Sequence, residues 1–139
     1  MIGNEEYNSY FNSLIKGDKA GCSAILDTLT GRGVDIVTIY TGLFQKALYQ
    51  VGEYWEMNRI SVATEHMATA ITESLMIRLQ PQLFSSDRIG KNSVIACVAN
   101  EHHQVGAKMV ADFFEMHGWD GYFVGANTPP LRSAPFYRE

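Results

Sequence analysis

Residues 93–106 read SVIACVANEHHQVG, and this stretch changes character in its middle. An apolar run at 93–99 is followed by a polar loop at 100–104 and then by an amphipathic run that reaches about residue 117. Such an order predicts a buried strand followed by a helix. A second apolar run at 121–124 completes the pattern strand, helix, strand, which is typical of one parallel βαβ unit.

The first eighty residues have helical periodicity instead. Glycine, aspartate and serine in the intervening turns are ordinary end signals of helices, and Pro81 is expected to stop the last helix. The predicted helices cover about residues 4–16, 19–31, 35–55 and 61–79. Four amphipathic helices joined by short turns predict a helical bundle.

The expected fold class is therefore mainly α plus α/β. A four-helix bundle cap occupies residues 1–84, a polar linker 85–92, and a partial α/β domain 93–139. The second part corresponds to the first βαβ of a flavodoxin-like or Rossmann-like parallel sheet and is expected to be incomplete, because one βαβ unit cannot cover both faces of a parallel sheet.

Composition excludes several classes of protein. The net charge is −4, and the 11 basic residues are scattered, which argues against a nucleic-acid surface. The two cysteines, Cys22 and Cys97, lie in apolar surroundings without a CxxC pair, which predicts buried free thiols in a reducing compartment. The sequence shows no signal peptide and no run of membrane-spanning length, so we expect a cytoplasmic protein without a membrane contact.

The polar loop holds the residues with the most chemistry. In open α/β sheets, ligands bind at the carboxyl ends of the strands, where Glu101, His102 and His103 are predicted to lie. A histidine there can ligate a metal while a neighbouring carboxylate orients its ring, although a solvated His-His pair is the plainer interpretation. A zinc site would need further ligands, and only His66 and His117 remain to supply an imidazole. Because Gly106 has no side chain, the backbone there can pass close to a large ligand, or the helix can pack closely against the strand.

The order of these parts resembles the cobalamin-binding module of methionine synthase, corrinoid methyl-carrier proteins and B12-dependent photoreceptor regulators of the CarH type. Glu101, His103 and Gly106 match the family's loop pattern, Asp/Glu-x-His-x-x-Gly. The resemblance implies that His103 is the lower axial ligand of cobalt and that Glu101 hydrogen-bonds to it. His102 occupies the variable position and inherits no role.

A second motif is similar to the helical cap of the photoreceptor group. Trp55 is followed, after nine residues, by Glu65-His66, within WEMNRISVATEH. The resemblance implies that Trp55 packs over the upper face of the corrin and that Val62, Glu65 and His66 lie near the upper axial ligand. The three motif residues are expected to converge at one end of the bundle.

The resemblance covers about residues 4–129. Family members continue with three more strands, a Ser-x-Leu or Ser-x-Thr segment and a late Gly-Gly pair that enclose the displaced nucleotide tail of the cofactor, whereas PPLRSAPFYRE does not match that pattern. A partner protein or a second copy of the chain is therefore expected to cover the apolar faces of the partial domain.

Three functions fit the sequence. The first is a cobalamin-binding sensor or regulatory module that carries adenosylcobalamin or methylcobalamin, in which light breaks the cobalt–carbon bond and shifts a two-state arrangement. The second is a corrinoid methyl-carrier subunit of a methyltransferase system, the one enzymatic interpretation. The third is a truncated helical interaction domain without cofactor. The tryptophan motif favours the sensor.

Overall fold

A computed structural model describes residues 1–84 and 87–128 of the chain. The helices are α1 (Asn4–Lys16), α2 (Lys19–Gly31), α3 (Ile36–Ile39), α4 (Lys46–Glu56), α5 (Val62–Leu83) and α6 (Val105–Met116), with a π-helical segment at Tyr40–Gln45; the strands are β1 (Asn92–Ala96) and β2 (Asp120–Gly125). The chain divides into two compact units, Met1–Leu79 and Gln80–Glu139, which we call the helical unit and the α/β unit. The predicted fold class is confirmed.

The turns of the helical unit follow from local chemistry. Asp18 begins α2 by accepting a hydrogen bond from the Gly21 N–H at 2.9 Å. Gly17 ends α1 in the left-handed conformation, with φ 73°, and a side chain there would place its Cβ 2.5 Å from Met67 Sδ of α5. The backbone angle is thus the main reason for glycine at residue 17, because the flexible Met67 side chain could move away from an added Cβ.

The predicted third helix, 35–55, contains a π-helical segment that was not predicted. Asp35 caps it as expected, accepting the Thr38 N–H at 2.8 Å, but residues 40–45 form a π-helix. Tyr40, Leu43 and Phe44 on this wider turn are all fully buried. Periodicity did not reveal the change, because the buried residues at positions 40, 43, 44 and 47 keep the three- and four-residue spacings that are also typical of an α-helix.

The predicted end of the fourth helix was wrong. Helix α5 continues through Pro81 to Leu83 instead of stopping before the proline. Proline removes one backbone hydrogen bond and crowds the preceding turn. Burial of the Leu83 side chain, which is 1% exposed, favours the extra turn.

Residues 92–125 of the α/β unit form one βαβ element. Strands β1 and β2 are parallel neighbours, with Val94 paired to Tyr122 and an irregularity after Ile95. Helix α6 connects them and buries Met109, Ala111, Asp112 and Glu115. Strand β1 ends at Ala96 rather than at the predicted residue 99. Residues 129–139, the last part of the predicted α/β domain, lie outside the described residues.

The described part of the predicted linker is held against the α/β unit. The Arg88 guanidinium forms an ion pair with Glu115 at 2.6 Å and donates to the Trp119 carbonyl, also at 2.6 Å. The Ile89 N–H donates to the Gly118 carbonyl at 2.9 Å. Residues 87–91 therefore lie along the turn between α6 and β2.

Among residues 1–84 and 87–128, no helix combines the length and the apolar character needed to cross a membrane. Cys22 and Cys97 are both buried and unbridged, which confirms the prediction of free thiols. Burial raises the pKa of the Cys22 thiol to about 11.

Candidate functional site

Glu101 and His103 form a hydrogen-bonded pair in the loop between β1 and α6. One carboxylate oxygen of Glu101, Oε1, lies 2.6 Å from the His103 backbone nitrogen and 2.7 Å from the ring atom Nδ1. The His103 side chain is otherwise 85% exposed. The pair predicted from the motif is thus present as a local geometry.

The charge state of Glu101 determines which ring nitrogen of His103 is free to bind a metal. The His103 backbone N–H, and then its ring, hold the pKa of the Glu101 carboxyl below its ordinary value. Glu101 is therefore ionised near neutral pH and acts as an acceptor, so Nδ1 of His103 carries the proton that it donates. The lone pair of the neutral ring is then on Nε2, the atom that can ligate a metal.

The loop after β2 holds this loop in place. The Asn127 N–H donates to the Glu101 carbonyl at 2.8 Å, and the Asn100 N–H donates to Asn127 Oδ1 at 2.8 Å. The Ala126 N–H donates to Gln104 Oε1 at 3.2 Å, and the Thr128 N–H donates to the Cys97 carbonyl at 3.0 Å. Four bonds thus join residues 97–104 to residues 126–128.

Sequence reasoning missed the contribution of Asn100 and Asn127. Both have positive φ, 69° and 48°, and both follow the end of a strand. Asparagine tolerates this left-handed conformation better than most residues and is common where a chain turns sharply. An asparagine shortly after each strand was the available signal, but their pairing across the loops was not visible in the spacing.

Gly106 lies in the first turn of α6 and is exposed. A Cβ there would meet nothing within 4 Å, so close packing of helix on strand does not explain the glycine. The close approach of helix to strand occurs at Gly121 instead, where a Cβ would lie 2.9 Å from the Ala111 carbonyl oxygen. The remaining interpretation is that Gly106 leaves open space beside residues 97–104, which we call the histidine loop.

The second group of predicted residues surrounds the turn between α4 and α5. Trp55 lies in the last turn of α4 and is 48% exposed. The chain reverses through Asn58, with φ 55°, and Ser61 begins α5 by accepting the Thr64 N–H at 3.2 Å. Val62, in the first turn of α5, is also exposed. Apolar side chains thus face solvent on both sides of this turn.

Glu65 and His66 follow in the first turns of α5. Glu65 Oε2 lies 3.7 Å from His66 Nε2, and Glu65 Oε1 accepts a hydrogen bond from the Thr69 hydroxyl at 3.1 Å. The Glu65 side chain is mostly covered, whereas that of His66 is 70% exposed. The structure therefore places the Glu65 carboxylate beside the His66 ring, while the convergence of Trp55 with them stays a prediction.

Within residues 1–84 and 87–128, no three His, Cys, Asp or Glu side chains are grouped so that they could hold a metal ion. His103 is a single protein donor with one oriented nitrogen. A donor set of this kind suits a metal that arrives with its other ligands, as cobalt does in a corrin ring. The oriented Nε2 and the open space at Gly106 fit such a group.

The comparisons with known proteins agree with this fold. The family described as B12 binding domain matches residues 7–80, more than half of the chain. The chain therefore belongs to the B12 binding domain family, as the resemblance predicted. It is a cobalamin-binding domain in family and fold.

One curated relative is a regulator. Over 71 residues, the chain is 30% identical to the HTH-type transcriptional repressor CarA of Myxococcus xanthus. The match covers 51% of this chain and 24% of the repressor. The chain thus spans about a quarter of that relative's length.

Two solved structures share the fold. The monomethylamine corrinoid protein of Methanosarcina barkeri has a TM-score of 0.78 and 17% identity, with 89% of this chain and 58% of that chain covered. The methanol:cobalamin methyltransferase complex of the same organism has a TM-score of 0.55 and 11% identity, with 90% and 48% covered. At these identities the likeness shows the fold alone, and this chain spans about half of either one.

Proposed function

We propose that the chain is a cobalamin-binding regulatory module in which Nε2 of His103 is the lower axial ligand of cobalt. The observation that carries the proposal is the Glu101–His103 pair, in which Nδ1 is engaged at 2.7 Å and the ring is 85% exposed. A carboxylate on the far nitrogen of a ligating histidine orients the ring and makes the ligand more basic. Glu101 has this role in the proposal.

The helical unit supplies contacts for the side of the cofactor that carries the upper ligand. Trp55, Met57 and Val62 are all about half exposed or more, within eight residues of sequence. An aromatic ring flanked by aliphatic side chains is suited to the apolar face of a macrocycle. Glu65 and His66 add polar groups beside this apolar surface.

The regulatory role rests on one sequence motif and one comparison. The Trp-x9-Glu-His motif is similar to that of the photoreceptor group, and the matched relative CarA is a transcriptional repressor. A bound adenosylcobalamin or methylcobalamin supplies a cobalt–carbon bond that light can break. Loss of the upper ligand would change what Trp55 contacts, and that difference in contact energy is what a two-state switch requires.

The output of the module is proposed to be a contact with a protein rather than with nucleic acid. The chain carries a net charge of −4, and its basic residues are scattered. Nucleic-acid affinity depends on clustered cations that neutralise phosphates. A partner protein or another copy of the chain is the fitting recipient of the signal.

A corrinoid methyl carrier is the second candidate. Its support is the fold, which is that of the monomethylamine corrinoid protein over 89% of this chain. In that case the cofactor carries the reactivity, and His103 controls ligation during methyl transfer. A light-dependent spectrum favours the sensor, and a methyl group transferred to an added methyltransferase partner in the dark favours the carrier.

The test uses His103→Ala with His102→Ala as its matched control. Both histidines are exposed and adjacent, but His103 is the one whose ring is paired with Glu101. Each purified protein is mixed with hydroxocobalamin in the dark, desalted and examined by visible spectroscopy. We expect wild type and His102→Ala to give the same histidine-ligated spectrum and His103→Ala to lose it. Identical spectra for all three proteins would exclude ligation by His103.

The role of Trp55 is tested with alkylated cofactors. We expect Trp55→Ala to weaken retention of adenosylcobalamin about 10-fold, the usual scale for loss of a large aromatic contact, and to leave hydroxocobalamin much less affected. Tyr49→Ala is the control, since Tyr49 is an exposed aromatic residue on the same helix, about 120° away around its axis. Equal losses for the two cofactors would contradict an upper-ligand contact.

A further inference from the structure

Asn127, two residues after the end of β2, is hydrogen-bonded to the histidine loop. Its backbone N–H donates to the Glu101 carbonyl at 2.8 Å, and its side-chain Oδ1 accepts from the Asn100 N–H at 2.8 Å. One residue thus binds the loop at two points, on Glu101 itself and directly before it. The two partners are about 27 residues away in sequence and come together only because the parallel strands end at one edge.

The backbone of Asn127 is part of this arrangement. Its φ of 48° is in the left-handed region, which orients the N–H towards Glu101 while the short side chain turns to Asn100. Alanine disfavours this conformation and has no acceptor, glycine permits the conformation but has no acceptor, and aspartate supplies both. These three replacements separate the backbone contribution from that of the side chain.

We propose that Asn127 is a positioning residue that sets the geometry of the Glu101–His103 pair, and through it the orientation of His103 Nε2. The proposal rests on the proposed function of His103 as the cobalt ligand. Asn127 itself touches neither the histidine ring nor the cofactor in this role. It acts by holding the Glu101 backbone, so that the carboxylate stays within hydrogen-bond distance of Nδ1.

The physical reason lies in the exposure of the pair. The His103 and Glu101 side chains are 85% and 45% exposed, so packing contributes little to their order. A hydrogen bond between exposed side chains is weak unless the backbone already holds them in register. The hydrogen bonds to Asn127 fix the backbone here, since they engage the N–H of Asn100 and the carbonyl of Glu101, the two residues joined by one peptide bond.

The first experiment needs no cofactor. At mildly alkaline pH, the ¹⁵N chemical shifts of the His103 ring report which nitrogen carries the proton. We expect mainly the Nδ1–H tautomer in wild type and Asn127→Asp, and a shift towards the Nε2–H tautomer that free histidine prefers in Asn127→Gly and Asn127→Ala. Thr128→Val is the control, because its hydroxyl bonds to the Gly125 carbonyl within its own loop.

The second experiment measures retention of hydroxocobalamin and its visible spectrum for the same variants. Asn127→Gly should lose about 10-fold in retention and part of the histidine-ligated signal, and Asn127→Asp should restore both. If Asn127→Gly keeps the wild-type tautomer, the inference is overturned. If wild type itself retains no cobalamin while the tautomer follows the expected order, the positioning role stands and the proposed function fails. Asn127→Gly is compatible with the native backbone, so the test does not depend on the folding of Asn127→Ala.

Discussion

In the helical unit, the Tyr10, Tyr40 and Phe44 side chains are completely buried, whereas neither β1 nor β2 of the α/β unit contains a fully buried residue. The helices enclose a core from several sides, but α6 packs on the two-stranded sheet while Tyr122 and Val124 face solvent. Burial of large apolar side chains therefore contributes more to the stability of the first unit than to that of the described part of the second.

The difference extends to the two candidate surfaces. Trp55 and Val62 flank a turn whose helices are anchored in an apolar core. Glu101 and His103 lie on a loop whose position depends on hydrogen bonds to Asn127, Ala126 and Thr128. The first surface therefore rests on a packed apolar core, whereas the position of the second depends on a few hydrogen bonds.

The largest expected effect comes from breaking the core of the helical unit. Phe44→Ala removes a fully buried ring that packs on Tyr40 and Tyr10, with centroids 5.7 and 6.1 Å away. We expect a loss of about 3–5 kcal/mol in the free energy of unfolding, measured by urea denaturation with far-UV circular dichroism. Val37→Ala, at an exposed site of the preceding helix α3, should change it by no more than about 0.5 kcal/mol. Similar losses for both variants would contradict the assigned core.

A smaller effect is expected from the α/β unit. Arg88→Ala removes the cation beside Glu115, which is 9% exposed and also accepts the Gly121 N–H at 2.6 Å. Because Arg88 is partly exposed, we expect a loss of about 1–2 kcal/mol, confined to the α/β unit. Amide hydrogen exchange measures it residue by residue. Lys19→Ala removes the same charge at an exposed site, and protection of β1 and β2 unchanged in both variants would refute the Arg88 contact.

The smallest effect concerns the cap of α3. The Thr38 hydroxyl, and then its backbone N–H, hold the pKa of Asp35 below its ordinary value of 3.8. The carboxylate therefore stabilises the fold fully above about pH 4, and this contribution is lost as the pH falls through the lowered pKa. Asp35→Ala should cost about 1 kcal/mol near neutral pH.

The matched control for Asp35 is asparagine. Asp35→Asn keeps an acceptor for the Thr38 N–H but cannot titrate in this range. Denaturation curves recorded from neutral to acid pH should show wild type converging on Asp35→Ala while Asp35→Asn keeps a constant offset from Asp35→Ala. A wild-type curve parallel to that of Asp35→Asn would remove Asp35 from the acid response.

Local signals explain what could be predicted. The ends of α1 and α2 follow from Gly17 and Asp18, whose conformational and hydrogen-bonding preferences act within a few residues. The Glu101–His103 pair is equally local, since the two residues are separated by one position. Sequence therefore determined the helical unit, the βαβ order, the cobalamin-binding family and the candidate ligand.

Tertiary structure decided the rest. The π-helix at Tyr40–Gln45, the continuation of α5 through Pro81 and the close helix–strand contact at Gly121 each depend on what packs nearby. The two hydrogen bonds of Asn127 to the histidine loop connect segments that are brought together only by the pairing of β1 with β2. The physical reason is the same throughout: caps and motifs act along the chain, whereas burial and long-range hydrogen bonds act between segments whose proximity is a product of the fold.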